Sequence, residues 1–124
     1  MVTKRLARLN EQLKREISEL IRRKVRDPRV GPVTITSVET ARDLGSARVY
    51  VSAQNPNDEL TESLAGLEAA ASFLRRELGR SLHVRRVPEL RFQQDHSLDQ
   101  ARRIEEILSD VVYSDLDEEE EDLE

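Results

Sequence analysis

Cysteine and tryptophan are absent from this 124-residue chain. Without cysteine there is no disulfide framework, no thiol nucleophile and no zinc–thiolate site. His83 and His96 are the only histidines, and neither has a partner at metal-ligand spacing. The four glycines are scattered, so there is no Gly-rich phosphate loop and nucleotide hydrolysis is not expected. Aromatics make up 3% of the residues, too few for base stacking to be a main binding mode. No apolar run approaches a membrane span, and the opening residues lack a signal-peptide apolar region. The expectation is a cytoplasmic protein that meets no membrane and needs no metal or cofactor.

Basic residues are missing from one stretch in particular. Residues 105–124 hold 11 acids and no Lys or Arg. That leaves 14 of the chain's 25 acids and all 20 of its basic residues to the other 104 positions. A net charge of −5 therefore hides a mildly basic body with an acidic tail. Such asymmetry points to a polyanionic partner, with the tail as competitor or solubiliser. Residues 1–113 are expected to form one domain, large enough for a core without metals or disulfides. Residues 114–124 read as an acidic, disordered tail.

Periodicity supplies the elements. From residue 3 to about 25, Leu6, Leu9, Leu13, Ile17, Leu20 and Ile21 recur at helical spacing. Thr3 is the expected N-cap, and Glu11–Arg15 and Glu19–Arg23 are i,i+4 pairs. Asp27-Pro28 ends this helix. Val33–Glu39 and Ala47–Ala53 alternate as strands with one buried face, Val33, Ile35 and Ser37 sharing one side of the first. Asp43-Leu44-Gly45-Ser46 joins them as an antiparallel hairpin.

A long helix follows, with Leu60, Leu64, Leu67, Ala71, Leu74 and Leu78 on one stripe. Asn57 is its expected N-cap and Gly79 its expected terminator. Gly66 and Ala69-Ala70-Ala71-Ser72 leave no bulk on the side away from the stripe, so another backbone could come close. Arg75, Arg76 and Arg80 come next. Small residues followed by cations suit a helix facing a phosphate backbone. They suit a solvated surface helix equally well. Pro88–Gln93 is a third strand with Leu90 and Phe92 inward. Ser97-Leu98-Asp99-Gln100 resembles a capping box, before a last helix on Ala101, Ile104, Ile107, Leu108 and Val111. The order gives an α+β sandwich with helices on one face of a three-stranded sheet.

Asp95-His96-Ser97 contains hydrolytic residue types, but such triads are assembled from distant positions. A strand end and a helix cap is the better reading, so no catalytic residue is assigned. Arg22, Arg23, Lys24, Arg26 and Arg29 form one cationic cluster, and Arg75, Arg76, Arg80, Arg85 and Arg86 a second. Lys4, Arg5 and Arg8 add cations to the first helix without obvious helical partners.

Several motifs occur together: Asp27-Pro28-Arg29, Asp43-Leu44, Ala47-Arg48-Val49-Tyr50-Val51-Ser52, Phe73-Leu74-Arg75, Leu78-Gly79, Val84-Arg85, and Val87-Pro88-Glu89-Leu90-Arg91-Phe92 with Asp95 and Ser97-Leu98. In that combination the chain resembles the bacterial ribosome-binding factor A family. The resemblance implies a KH-like fold of the second topological type, ordered α-β-β-α(hinged)-β-α. It implies binding to the immature small ribosomal subunit near the neck and 3′-end region of its rRNA, late maturation and rRNA processing, and a role in the cold. Ribosomal proteins and other assembly factors are further partners it admits, and a monomer is expected off the ribosome. All 13 cations of the two clusters and the first helix are then candidate RNA contacts. The alternative is a general KH-like RNA-binding or protein-interaction module with an acidic docking tail. The family interrupts its long helix at an Ala-x-Gly pattern. Ala70-Ala71-Ser72 matches it with serine for glycine, and a break or bend is expected there.

Overall fold

The computed structural model describes residues 3–54, 59–82, 84, 86–97 and 103–109. Helix α1 spans Lys4–Lys24, strand β1 Val33–Thr40, strand β2 Ser46–Ala53, helix α2 Thr61–Ser81 and strand β3 Glu89–Gln94. Thr3 caps α1 as expected, its hydroxyl oxygen accepting from the Leu6 N–H at 3.1 Å. β1 and β2 pair antiparallel, and β2 pairs parallel with β3, in the order β1-β2-β3. A parallel neighbour cannot follow from a tight turn; α2 supplies the crossover.

Both long helices lie on one face of the sheet. Leu13 and Ile17 of α1, Leu67, Leu74 and Leu78 of α2, and Val49 and Val51 of β2 are fully buried in one cluster. Each such side chain stabilises the fold by about 1.5–3 kcal/mol relative to exposure. The opposite face carries exposed Thr34, Arg48, Glu89 and Arg91, and Tyr50 donates its hydroxyl to Glu39 there. Glu68 of α2 accepts the Phe92 N–H at 3.2 Å, which satisfies one donor on the outer edge of β3.

Four details differ from the pattern read along the chain. First, β1 carries a bulge: the register slips between Ile35 and Ser37. Ile35 and Val38 are therefore the buried pair, and Ser37 is only half-buried. Thr36, the extra residue, donates its hydroxyl to Asp95. Second, α2 is unbroken through Ala70, Ala71 and Ser72, so the expected interruption is absent. Alanine is the best helix former, and serine, unlike glycine, does not free the backbone. Third, Gly79 does not end α2. The helix continues to Ser81 and Leu82 is its C-cap, because Leu82 is itself a buried core residue. Fourth, residues 103–109 are helical, yet Ile104, Ile107 and Leu108 are 58%, 61% and 57% exposed. Asn57, Gln100, Ala101, Val111 and residues 114–124 lie outside the described residues.

The small residues of α2 do admit another backbone, and it is the chain's own. Gly66 is buried, and a Cβ there would lie 2.9 Å from Val30 Cγ2 and 3.2 Å from Val30 N. A Cβ on Gly79 would meet only Val87 Cγ2 at 3.7 Å, an ordinary van der Waals distance. Opposite effects are therefore expected from one chemical change. Gly66→Ala should destabilise by about 1–3 kcal/mol through overpacking, despite alanine's better helix propensity. Gly79→Ala should stabilise by about 0.5–1 kcal/mol. Urea titrations with unchanged slope would read both; a Gly66→Ala variant as stable as wild type would show that the turn can retreat.

Candidate nucleic-acid interface

The interface is built at the C-terminal ends of α1 and α2. Lys24, last residue of α1, donates from Nζ to Glu77 Oε2 at 3.0 Å, and Arg80 Nη1 lies 3.6 Å from Glu77 Oε1. Glu77 thus bridges the two cationic clusters read from the sequence. The hydrogen bond from Lys24 holds its carboxyl below the usual carboxylate range, with the charges of Arg80 and Arg76 adding to it. On α1, Glu19 accepts a hydrogen bond from Arg22 and forms an ion pair with Arg23, and the Arg22 hydrogen bond lowers its pKa. Among the described residues the expected Glu11–Arg15 pair does not form, while Glu19–Arg23 does.

Arg22, Arg23, Arg26, Arg76 and Arg80 are exposed on this edge. Beside Arg26 lies an open cleft of about 270 Å³ lined by Lys24, Val25, Arg26, Asp27, Ala69, Ala70 and Phe73. The small residues make its floor and cations its rim. The half-buried Phe73 ring is a feature that residue spacing alone did not single out as a lining group.

Other candidate cations take different places. Arg29 is held by its neighbour: its Nε and Nη2 bond the Asp27 carboxylate, which also accepts the Arg29 N–H at 3.0 Å. These hydrogen bonds draw the Asp27 pKa down from 3.8 to about 2 and raise that of Arg29. With the Val30 N–H bonded to the Asp27 carbonyl, the motif Asp27-Pro28-Arg29 shapes the turn that packs on Gly66. Arg75 is a correction. It is half-buried, donates from Nη2 to the Val87 carbonyl at 3.0 Å, and has a buried Nε with no partner among the described residues. It holds the lead-in to β3 and is not a solvated cation. Arg86 is exposed on that lead-in, and Arg85 lies outside the described residues. Lys4, Arg5 and Arg8 are exposed at the other end of α1, about 24–30 Å from Lys24 at 1.5 Å per residue. The structure does not bring them to the same edge.

Asp95-His96-Ser97 is a strand end and turn. The Asp95 N–H bonds the Val51 carbonyl, continuing the β3 ladder. Its carboxylate accepts the Ser97 N–H at 2.8 Å and the Thr36 hydroxyl. The i,i+2 bond from Ser97 closes a turn at the strand end, and the far side of the expected capping box, Leu98-Asp99-Gln100, lies outside the described residues. Bonds from Ser97 and then Thr36 lower the Asp95 pKa. Among the described residues no group of His, Asp and Glu could hold a metal ion, and no helix is long and apolar enough to cross a membrane.

These features define a small α+β protein with two helices over a mixed sheet and a cationic edge where the helices end. The chain belongs to the ribosome-binding factor A family, whose sequence model matches residues 5–108. A ribosome-binding factor A from Pseudomonas putida is 44% identical over 113 residues, covering 90% of this chain and 86% of that protein. One from Desulfitobacterium hafniense is 45% identical over 111 residues, covering 90% and 89%. The crystal structure of the Thermus thermophilus factor matches with a TM-score of 0.68 at 33% identity, over 74% of this chain and 97% of that one. A homology model of the Thermus thermophilus factor, fitted into a cryo-EM map of its complex with the 30S subunit, matches with a TM-score of 0.59 at 32% identity, over 70% and 91%.

The Asp27 turn has a pH signature. A carboxyl whose folded pKa is depressed contributes stability that is present above its unfolded value, near 3.8, and is lost as pH falls towards about 2. Asp27→Asn keeps an acceptor for the Arg29 N–H and removes the charge. Thermal melts between neutral pH and pH 2 should show wild type losing stability below about pH 4. The variant should start lower and lose less across that window; parallel curves would detach Asp27 from the acid limb.

Proposed function

We propose that this chain is a non-enzymatic assembly factor that binds the immature small ribosomal subunit through its rRNA. The observation that carries the reading is the Glu77 bridge, which joins two cationic helix ends into one edge. Exposed arginines on that edge suit phosphates, and phosphate binding gives affinity and register rather than sequence reading. Membership of the ribosome-binding factor A family supports it. So does the relative fitted into a map of its 30S complex. In this reading the protein works in the cytoplasm, near the neck and 3′-end region of the rRNA. It promotes late maturation and rRNA processing, also in the cold, and leaves before translation.

The test separates the edge from the fold. Arg22, Arg23, Arg76 and Arg80 are replaced together by glutamine, which nearly preserves helix propensity. Arg75 stays, because its bond to Val87 is structural. Exposed ion pairs of this kind contribute about 0–1 kcal/mol each, so the variant should stay folded at room temperature. Titration on immature small subunits should show weaker binding. The slope of log affinity against log salt should flatten by roughly one for each phosphate that is no longer neutralised. Unchanged affinity and slope would reduce these arginines to solvated surface. Co-sedimentation should favour immature over mature subunits; equal partition would remove the assembly role.

A further inference from the structure

The far end of α1 carries a second feature that the rRNA edge does not use. Thr3, Lys4, Arg5, Leu6, Arg8, Leu9 and Gln12 face Arg42, Leu44 and Val84 across an open groove of about 1240 Å³. Its floor is apolar, from Leu6, Leu9, Leu44 and Val84, and its rim is cationic. Lys4 and Arg5 stand in a first helical turn that holds no acid. Among the described residues Lys4, Arg5 and Arg8 have no ion-pair partner. Leu44 is held with φ +61° and is 40% exposed, as is Val84. A left-handed conformation is uncommon for leucine, whose place in such a turn is ordinarily taken by glycine or asparagine. The hairpin therefore presents an apolar side chain to the groove at a backbone cost.

We infer that the chain's own acidic segment, residues 111–124, docks in this groove and screens its cations. The complementarity is of two kinds. The segment carries Val111, Val112, Tyr113, Leu116 and Leu123 for the floor, and eight acids from Asp115 to Glu124 for the rim. Reach permits it. β3 starts at the groove end, where the Glu89 N–H bonds the Gly45 carbonyl, and finishes at the opposite end beside Val51. Its six residues span about 20 Å. Tyr113 lies 18 positions after Asp95, about 27 Å even if every residue were helical. The docked segment competes with other polyanions for the groove's cations, which favours the Glu77-bridged edge for phosphates. This consequence rests on the proposed function; the docking does not.

Because the chain has no cysteine, Ser114→Cys in the full-length protein gives a single site for a nitroxide. Amide signals of Arg5, Arg8, Leu44 and Val84 should lose most of their intensity through paramagnetic broadening, while those of Arg76 and Arg80 should not. Arg5→Glu with Arg8→Glu should restore that intensity. A second variant, with the acids of 115–122 changed to amides, should do the same while leaving the groove intact. Mixing spin-labelled unenriched protein with unlabelled isotope-enriched protein should give no broadening. Broadening in that mixture would hand the groove to a second copy. Broadening that is absent, scattered, or centred on the Arg76–Arg80 edge would equally overturn the assignment. Polyuridine RNA is the last arm: the amide variant should bind it more tightly and with a steeper salt dependence, and equal binding would show that the segment screens nothing. Failure to bind immature subunits, with the broadening intact, would sink the assembly reading and leave the docking standing.

Discussion

The turn Asp27–Val30 sits against α2 where a Cβ would have been, and much of the molecule depends on that approach. Glycine inside a helix costs about 1 kcal/mol relative to alanine. Here that cost is offset by packing: Val30 is 4% exposed and belongs to the core cluster. The turn is stiffened from within, since the Asp27 carboxylate bonds both the backbone N–H and the guanidinium of Arg29. A rigid turn pressed on a glycine fixes where α1 ends relative to α2. That in turn lets Lys24 reach Glu77. The ion pair is a consequence of the packing, because exposed pairs contribute too little to position helices.

The carboxylates on the cationic edge are compatible with the phosphate binding proposed for it. Glu19 holds Arg22 and Arg23, and Glu77 holds Lys24 near Arg80. Each acid limits the rotamers of long cations that would otherwise lose entropy on binding. Each pair is also weak enough to exchange for a phosphate oxygen. With aromatics at 3% of the chain, stacking would add little in the proposed reading, and the shape of a folded RNA is the property such an edge would read.

How much of this is legible in the sequence follows from which interactions are local. The leucine stripes at three-and-four spacing announce α1 and α2, and Leu13, Ile17, Leu67, Leu74 and Leu78 are the core those stripes imply. The strand alternation at Ala47, Val49 and Val51 holds for the same reason. Most of the misreadings are places where tertiary packing decides; the uninterrupted α2, set by local propensity, is the exception. Gly79 has the look of a helix end, but Leu82, three residues on, is buried and carries the helix past it. Arg75 resembles its neighbours Arg76 and Arg80, but it faces the lead-in to β3 and bonds Val87. Ser37 has the spacing of an inward partner for Ile35, but the bulge at Thr36 turns Val38 inward and aims the Thr36 hydroxyl at Asp95. The cationic clusters are visible as residue types; that Glu77 joins them is not, because 53 residues separate it from Lys24.

An unbroken α2 changes what the small residues at its centre do. A hinge at Ala70–Ser72 would separate the half of the helix that packs on the turn from the half that carries Arg76 and Arg80. Continuous hydrogen bonding across those residues makes the two halves one rod. Gly66 and Arg80 are then 14 residues apart on a single element, about 21 Å along its axis. The backbone approach at Gly66 sets the position of the near end, and Leu74 and Leu78 in the core hold the far end, beside which the Lys24–Glu77 bond forms. A displacement of the turn is therefore passed along one continuous helix towards the cations. The alanines in between contribute helix propensity and a shallow floor beneath the cationic rim. Smallness at this point serves access to the cleft, and the stiffness of the rod comes from having alanine and serine there instead of glycine.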